Sequence, residues 1–132
     1  MKLKLTVVTP ERLVICADAE EVQLPGELGY LGILPGHTPL VTTLKIGVLS
    51  YKDAGTEHAF ALASGFAEVG PHAVTVLADL AEEPGEIDVA AAQKERGEAE
   101  QALQTASRET MEEIRGRLEL AQARLAVAGA KP

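Results

Sequence analysis

Leu24-Pro25-Gly26-Glu27-Leu28-Gly29-Tyr30-Leu31-Gly32-Ile33-Leu34-Pro35-Gly36-His37-Thr38-Pro39-Leu40-Val41-Thr42-Thr43-Leu44-Lys45-Ile46-Gly47-Val48-Leu49 is the stretch from which the fold is read. Glycine admits positive φ and close backbone approach, and proline fixes φ near −65°, so this density of both specifies a shaped loop. The flanking segments, Glu20 to Leu24 and Ile46 to Lys52, are strand-like. Tyr30, Leu31, Ile33 and Leu34 place large apolar side chains on the loop. A rigid loop of that kind either docks onto something or folds back to cap its own sheet. Both readings stay open from the residues alone. A phosphate loop does not fit. Between Gly32 and Gly36 stand three residues where that loop needs four, and His37 stands where its lysine should be.

Outward from the loop, the same texture continues in both directions. Leu3, Leu5 and Val7 alternate with Lys2, Lys4 and Thr6, the period of a half-buried strand. Further strand-like runs cover Arg12 to Cys16, Glu57 to Ala63, Gly65 to Val69 and Ala73 to Ala78. Asp53-Ala54-Gly55 and Gly70-Pro71-His72 supply hairpin turns between them. Short strands with frequent turns and no intervening helix predict an antiparallel sandwich or barrel.

The pattern changes at Pro84-Gly85, which divides the 132 residues into a β part at 1–84 and a helical part at 85–132. Asp88 is a suitable N-cap for the Ala-rich run that follows. Ile114, Leu118, Ala121, Leu125 and Ala128 recur at spacings of four and three and make one apolar stripe. Thr110-Met-Glu-Glu113 matches a capping box and Ser107 is a second cap, so a break between 104 and 110 is expected. Leu103, Ala106, Thr110 and Ile114 would carry the stripe across that break. A two-helix hairpin and one long helix are therefore close alternatives.

Composition excludes several classes of function. A net charge of −8 opposes nucleic-acid binding, which needs clustered lysine and arginine. No apolar run approaches the length that spans a bilayer, and Met1 to Pro10 lacks a cleavable leader pattern. Hydrophobic residues make up 46% and aromatic ones 3%, so the core is aliphatic. The lone Cys16 ends the run Leu13-Val-Ile-Cys16 and is expected to be a small buried hydrophobe in a reducing compartment. His37, His58 and His72 have no metal-ligand spacing, and no metal site is expected. Ser50 and Ser64 lack a nucleophile elbow, and Glu20-Glu21 and Glu82-Glu83 read as solvated charges. No catalytic constellation emerges. The late cations Arg108, Arg115, Arg117, Arg124 and Lys131 either meet an acidic partner, with Arg108, Arg115 and Arg124 on roughly one side of a helix, or form a solvated face with pairs such as Glu113 and Arg117.

Taken together, these residues resemble the ε subunit of F-type rotary ATP synthases. The resemblance is carried by Gly29 to Leu49, by Ser64-Gly-Phe-Ala-Glu-Val69, by Val74-Thr-Val-Leu-Ala-Asp79 and by Glu86-Ile87-Asp88 opening the helical tail. It implies a ten-stranded β-sandwich of two five-stranded sheets followed by an antiparallel helical hairpin. It also implies a non-catalytic central-stalk subunit on the cytoplasmic face of the bacterial membrane, with the γ subunit, the c ring and the α and β subunits as partners. Tyr30, Leu31, Ile33 and His37 would then contact the rotor, and Arg108, Arg115 and Arg124 would face an acidic segment of β. Many bacterial members bind ATP through an Ile-Asp-x-x-Arg-Ala pattern. Here Ile87 and Asp88 are kept, but Ala91 replaces the arginine, so no cofactor is expected beyond ATP as a weak regulatory ligand. The rival is a free-standing ligand-binding sandwich with a self-associating helical tail.

Overall fold

Eight strands build two stacked layers. The computed structural model describes residues 1–129, so Lys131 lies outside the described residues. The strands are β1 (Leu3–Val8), β2 (Leu13–Ala19), β3 (Glu21–Gly26), β4 (Gly29–Ile33), β5 (Leu40–Leu44), β6 (Gly47–Asp53), β7 (Thr56–Val69) and β8 (Ala73–Glu82). One layer runs β2-β1-β8-β7-β5 and the other β4-β3-β6-β7-β8. The two five-stranded layers are thus present, but eight continuous strands make them rather than ten. β7 pairs with β6 over Thr56–Leu62 and with β5 over Gly65–Val69, and β8 follows it from one layer into the other.

Gly65 lies where β7 passes between layers, because there the backbone crosses hard against β8. A Cβ on Gly65 would lie 2.0 Å from the Leu77 carbonyl oxygen, a separation no side chain could occupy.

The alternation in β1 has the expected result: Leu3, Leu5 and Val7 are fully buried between the layers while Lys4 faces water. Val22, Leu24, Ile33, Leu49, Leu62, Val74 and Val76 complete an aliphatic core. Each such side chain contributes on the order of 1.5–3 kcal/mol against the entropy of ordering the chain. Cys16 is a correction, being exposed. Leu5 pairs with Ala17 and Val7 with Ile15 on the inward side, so the intervening Thr6–Cys16 pair faces out.

Two segments read as loop are strands, β4 and β5. Gly26 pairs with Gly29 and Pro25 with Tyr30 across a tight hairpin, where the φ of +138° at Gly29 needs a glycine. Glycines and prolines weaken a central strand but are tolerated beside a sheet edge, which is where β4 lies.

A short 3₁₀ turn (Pro84–Glu86) leads to helices α1 (Val89–Gln104) and α2 (Arg108–Val127). Arg12 holds that turn to the sandwich through two bonds to Glu86, at 2.9 and 2.8 Å. Asp88 caps α1 as expected, its Oδ1 accepting from the Ala91 N–H at 3.0 Å. The chain breaks into a hairpin, with Ser107 rather than Thr110 in the N-cap position. Its Oγ lies 3.1 Å from the Thr110 hydroxyl. The stripe on α2 turns inward, fully at Ala121 and Leu125 and partly at Ile114, Leu118 and Ala128. α2 lies on β6 and β7, where Ala123 and Val127 meet Ala61, flanked by Val48, Ala59 and Ile87.

Candidate docking surfaces and the hairpin cleft

The hairpin covers the outer face of one layer and leaves the other bare. Cross-strand register puts Thr43, Phe66, Leu77, Val8 and Leu13 in one row across β5, β7, β8, β1 and β2. Phe66 is 45% exposed, Leu77 41% and Leu13 59%. A groove of about 330 Å³ runs beside them, lined by Val8, Pro10, Gly65, Phe66, Leu77 and Ala78 among others. The next row, Val41, Glu68, Thr75, Thr6 and Cys16, is mixed in polarity. An apolar row of this length on the water side of a sheet is a surface that associates. The sequence carried it in the alternation of β7 and β8, but only the register shows that the strands add their apolar residues in line.

The β3–β4 hairpin forms the edge of the other layer, and the loop after it reaches the β7–β8 turn. Tyr30 is 57% exposed, yet its hydroxyl accepts the Val48 N–H at 3.0 Å. The phenol passes over Gly47, where a Cβ would come within 2.8 Å of the Tyr30 oxygen. Tyr30 therefore caps its own sheet with one end and presents its ring to water with the other. Leu31 is half-buried against the core. Ile33 is fully buried, which corrects the expectation that it offers a contact; it faces inward as the partner of Val22. Leu34 stands exposed in its place. His37 is half-buried, with Nδ1 2.6 Å from the Thr38 carbonyl oxygen. The Gly36 N–H donates to Pro71 O at 2.8 Å and fixes the loop to the β7–β8 turn.

A second site lies where the hairpin meets the sandwich. It is a cleft of about 380 Å³ lined by Glu82, Glu86, Ile87, Asp88, Ala91, Ala92, Glu95, Arg117, Leu120 and Arg124. Ile87, Asp88 and Ala91 are thus brought together, as their spacing implies. The Asp88 carboxylate is engaged in capping. Arg124 binds Glu82 through Nε at 2.6 Å and Nη2 at 3.2 Å, and Arg117 Nε binds Glu95 at 2.5 Å. The bond from Arg117 first, and the nearby positive charge after it, hold the Glu95 carboxyl below its ordinary range. The Glu83 N–H and then Arg12 do the same for Glu86.

The late arginines consequently do not share one role. Arg124 turns inward to the sandwich. Arg117 reaches across to α1 instead of pairing with Glu113. Arg115 makes an i,i+3 pair with Glu112 at 2.9 Å, and Arg108 is exposed at the start of α2. Glu82, read from the sequence as a solvated charge, is half-buried and paired. Among the described residues no His, Cys, Asp and Glu cluster has the arrangement of a metal site, and no helix is long and apolar enough to cross a membrane.

Comparison with known proteins gives consistent results. Residues 2–84 match the family described as the ATP synthase Delta/Epsilon chain beta-sandwich domain. The chain is 56% identical over 103 residues to the ATP synthase epsilon chain of Koribacter versatilis, covering 78% of this chain and 72% of that one. It is 43% identical over 128 residues to the epsilon chain of Syntrophobacter fumaroxidans, covering 96% of each. In three dimensions it resembles a chain of the Euglena gracilis mitochondrial ATP synthase OSCP/F1/c-ring structure. The TM-score is 0.82 at 22% identity, over 95% of this chain and 80% of that one. A chain from the Tetrahymena thermophila mitochondrial ATP synthase central stalk and c ring has the same fold, with a TM-score of 0.67 at 15% identity and 97% of each chain covered.

Proposed function

The chain belongs to the ATP synthase epsilon chain family, and from that premise we propose how its surfaces divide the work of a non-catalytic central-stalk subunit. The observation that carries the reading is the bare apolar row of Phe66, Leu77, Val8 and Leu13, set on the layer that the hairpin leaves uncovered. This face packs on the γ subunit. The end of the molecule formed by Tyr30, Leu34 and His37 meets the c ring, on the cytoplasmic side of the bacterial membrane. The hairpin faces the α and β subunits and restrains ATP hydrolysis when it leaves the sandwich, with exposed Arg108 and Arg115 available to an acidic segment of β.

ATP is at most a weak ligand of the cleft. Ala91 offers no side-chain donor, and a polyphosphate would have to displace Glu82 and Glu95 from the two guanidiniums. Four carboxylates on its wall oppose an anion further.

Three measurements test the reading. Phe66→Lys with Leu77→Glu, which replaces one apolar cross-strand pair by an oppositely charged one at half-exposed positions, is expected to abolish capture of the chain by γ while the chain stays folded by circular dichroism. Undiminished capture overturns the assignment of the face. In the assembled complex, removal of residues 86–132 is expected to raise ATP hydrolysis, and an unchanged rate removes the inhibitory role. Titration calorimetry showing micromolar ATP affinity would overturn the statement about the cleft.

A further inference from the structure

We propose that Glu82 and Arg124 form an electrostatic latch that sets how often the hairpin leaves the sandwich, and that this latch is built into the chain rather than supplied by a ligand. Glu82 ends β8 and Arg124 lies in the last two turns of α2, 42 positions later. Both guanidinium bonds reach the same carboxylate, at 2.6 and 3.2 Å, the two-point geometry in which arginine binds carboxylates most firmly. The side chains are 23% and 28% exposed, the least exposed of the ion pairs among the described residues, so salt screens the pair less than a surface pair.

The contacts around the latch explain why one pair can govern the whole hairpin. The apolar patch under α2 is small: Ala61, Ala123 and Val127 are its buried members. Two of the three are alanines, and Val48, Ala59 and Ile87 beside them are only partly buried, so the patch offers little area and holds the two elements together only weakly. Arg12–Glu86 secures the linker but not the helices. Arg117–Glu95 ties α2 to α1 and travels with the hairpin when it moves. Among the described residues, Glu82–Arg124 is the ion pair that joins a strand directly to a helix of the hairpin. Breaking the pair while the hairpin stays docked would leave a partly desolvated charge on each side, so the bond is broken together with the docked contact.

The regulatory consequence rests on the function proposed above: a loosened latch frees the hairpin to restrain hydrolysis. The latch itself is tested on the full isolated chain, in a Cys16→Ser background with spin labels at Lys52→Cys on β6 and Ala126→Cys on α2, both exposed positions. In the parent chain the distance distribution is expected to be dominated by one short component. Glu82→Gln and Arg124→Gln should each raise the long-distance fraction roughly five- to tenfold, and the exchange Glu82→Arg with Arg124→Glu should restore much of the short component. Raising salt should lower the parent's short component only modestly, because the pair is partly shielded, and Glu82→Gln should show a flatter response still. Distributions in both single variants equal to the parent's would overturn the latch whatever the enzyme complex does. If the latch loosens but Glu82→Gln leaves hydrolysis by the complex unchanged, the latch stands and the inhibitory role of the hairpin falls.

Discussion

The space between the two layers of the sandwich and the space beneath the helical hairpin are both apolar, but they are filled by side chains of different size. Between the layers stand Leu3, Leu5, Leu24, Ile33, Leu49 and Leu62, all fully buried. Beneath and within the hairpin the fully covered residues are mostly alanines, Ala92, Ala99, Ala121 and Ala123, with Leu125 the one large side chain completely enclosed among the described residues. At about 0.8 kcal/mol per buried methylene, a leucine-lined interface outweighs an alanine-lined one of equal length several times over. One polypeptide thus carries a densely filled region and a lightly packed joint beside it. Polar contacts make up what the alanines lack, and they are the kind that solvent and partners can replace.

That contrast is open to direct attack. The largest effect belongs to Leu62→Ala, which opens a cavity in the common core where β7 faces both layers. It should cost about 2–5 kcal/mol, read as a lower midpoint for the sandwich in chemical denaturation. A loss well below 1 kcal/mol would mean that the core collapses around the gap and that the two regions differ less than their side chains imply. Asp88→Ala removes the α1 cap and should cost about 1 kcal/mol, seen as faster amide exchange in the first turn of α1. Exchange that speeds up equally in β1 and β7 would show the hairpin and sandwich unfolding as one unit and would erase the distinction.

The smallest effect is a pH dependence. Glu95 and Glu86 have folded-state values below the ordinary carboxylate range, so their contribution is fully present above about pH 4.3 and is lost as pH falls through the lower folded value. Helical signal should therefore weaken below about pH 4.3 before the strand signal does. Glu95→Gln, which removes the partner of Arg117, should flatten that early change, and an unaltered acid profile would separate the hairpin's acid sensitivity from this pair.

Much of this design can be read from the amino-acid order, and the failures have identifiable causes. Alternation in β1, the turns at Asp53-Ala54-Gly55 and Gly70-Pro71-His72, and the Asp88 cap are local properties, and local chemistry announces them. β4 was hidden because glycine and proline signal loops, whereas beside a sheet edge they only limit pairing, and Pro35, Gly36 and Pro39 just before β5 draw it into the same loop. Ile33 misled for the same reason: once Gly29 to Ile33 is a strand, period two sends Ile33 to the core and leaves Tyr30 outside. The inward turn of Arg124 has no local sign, because its partner is 42 residues away and the same arginine on a solvated face has the same neighbours in sequence. Cys16 depended on a single step of register in β2. The apolar row from Phe66 to Leu13 needed four strands aligned before it became a surface.

β7 spans 14 residues without interruption and serves both layers. At about 3.4 Å per residue it runs some 45 Å along the chain. In a part that turns, torque entering at the bare face need not be passed between sheets by side chains able to slip. It travels along peptide bonds, from the bare layer to the layer that bears the hairpin. The sandwich is stiff in shear for that reason, and compliance is left to the alanine-lined joint outside it.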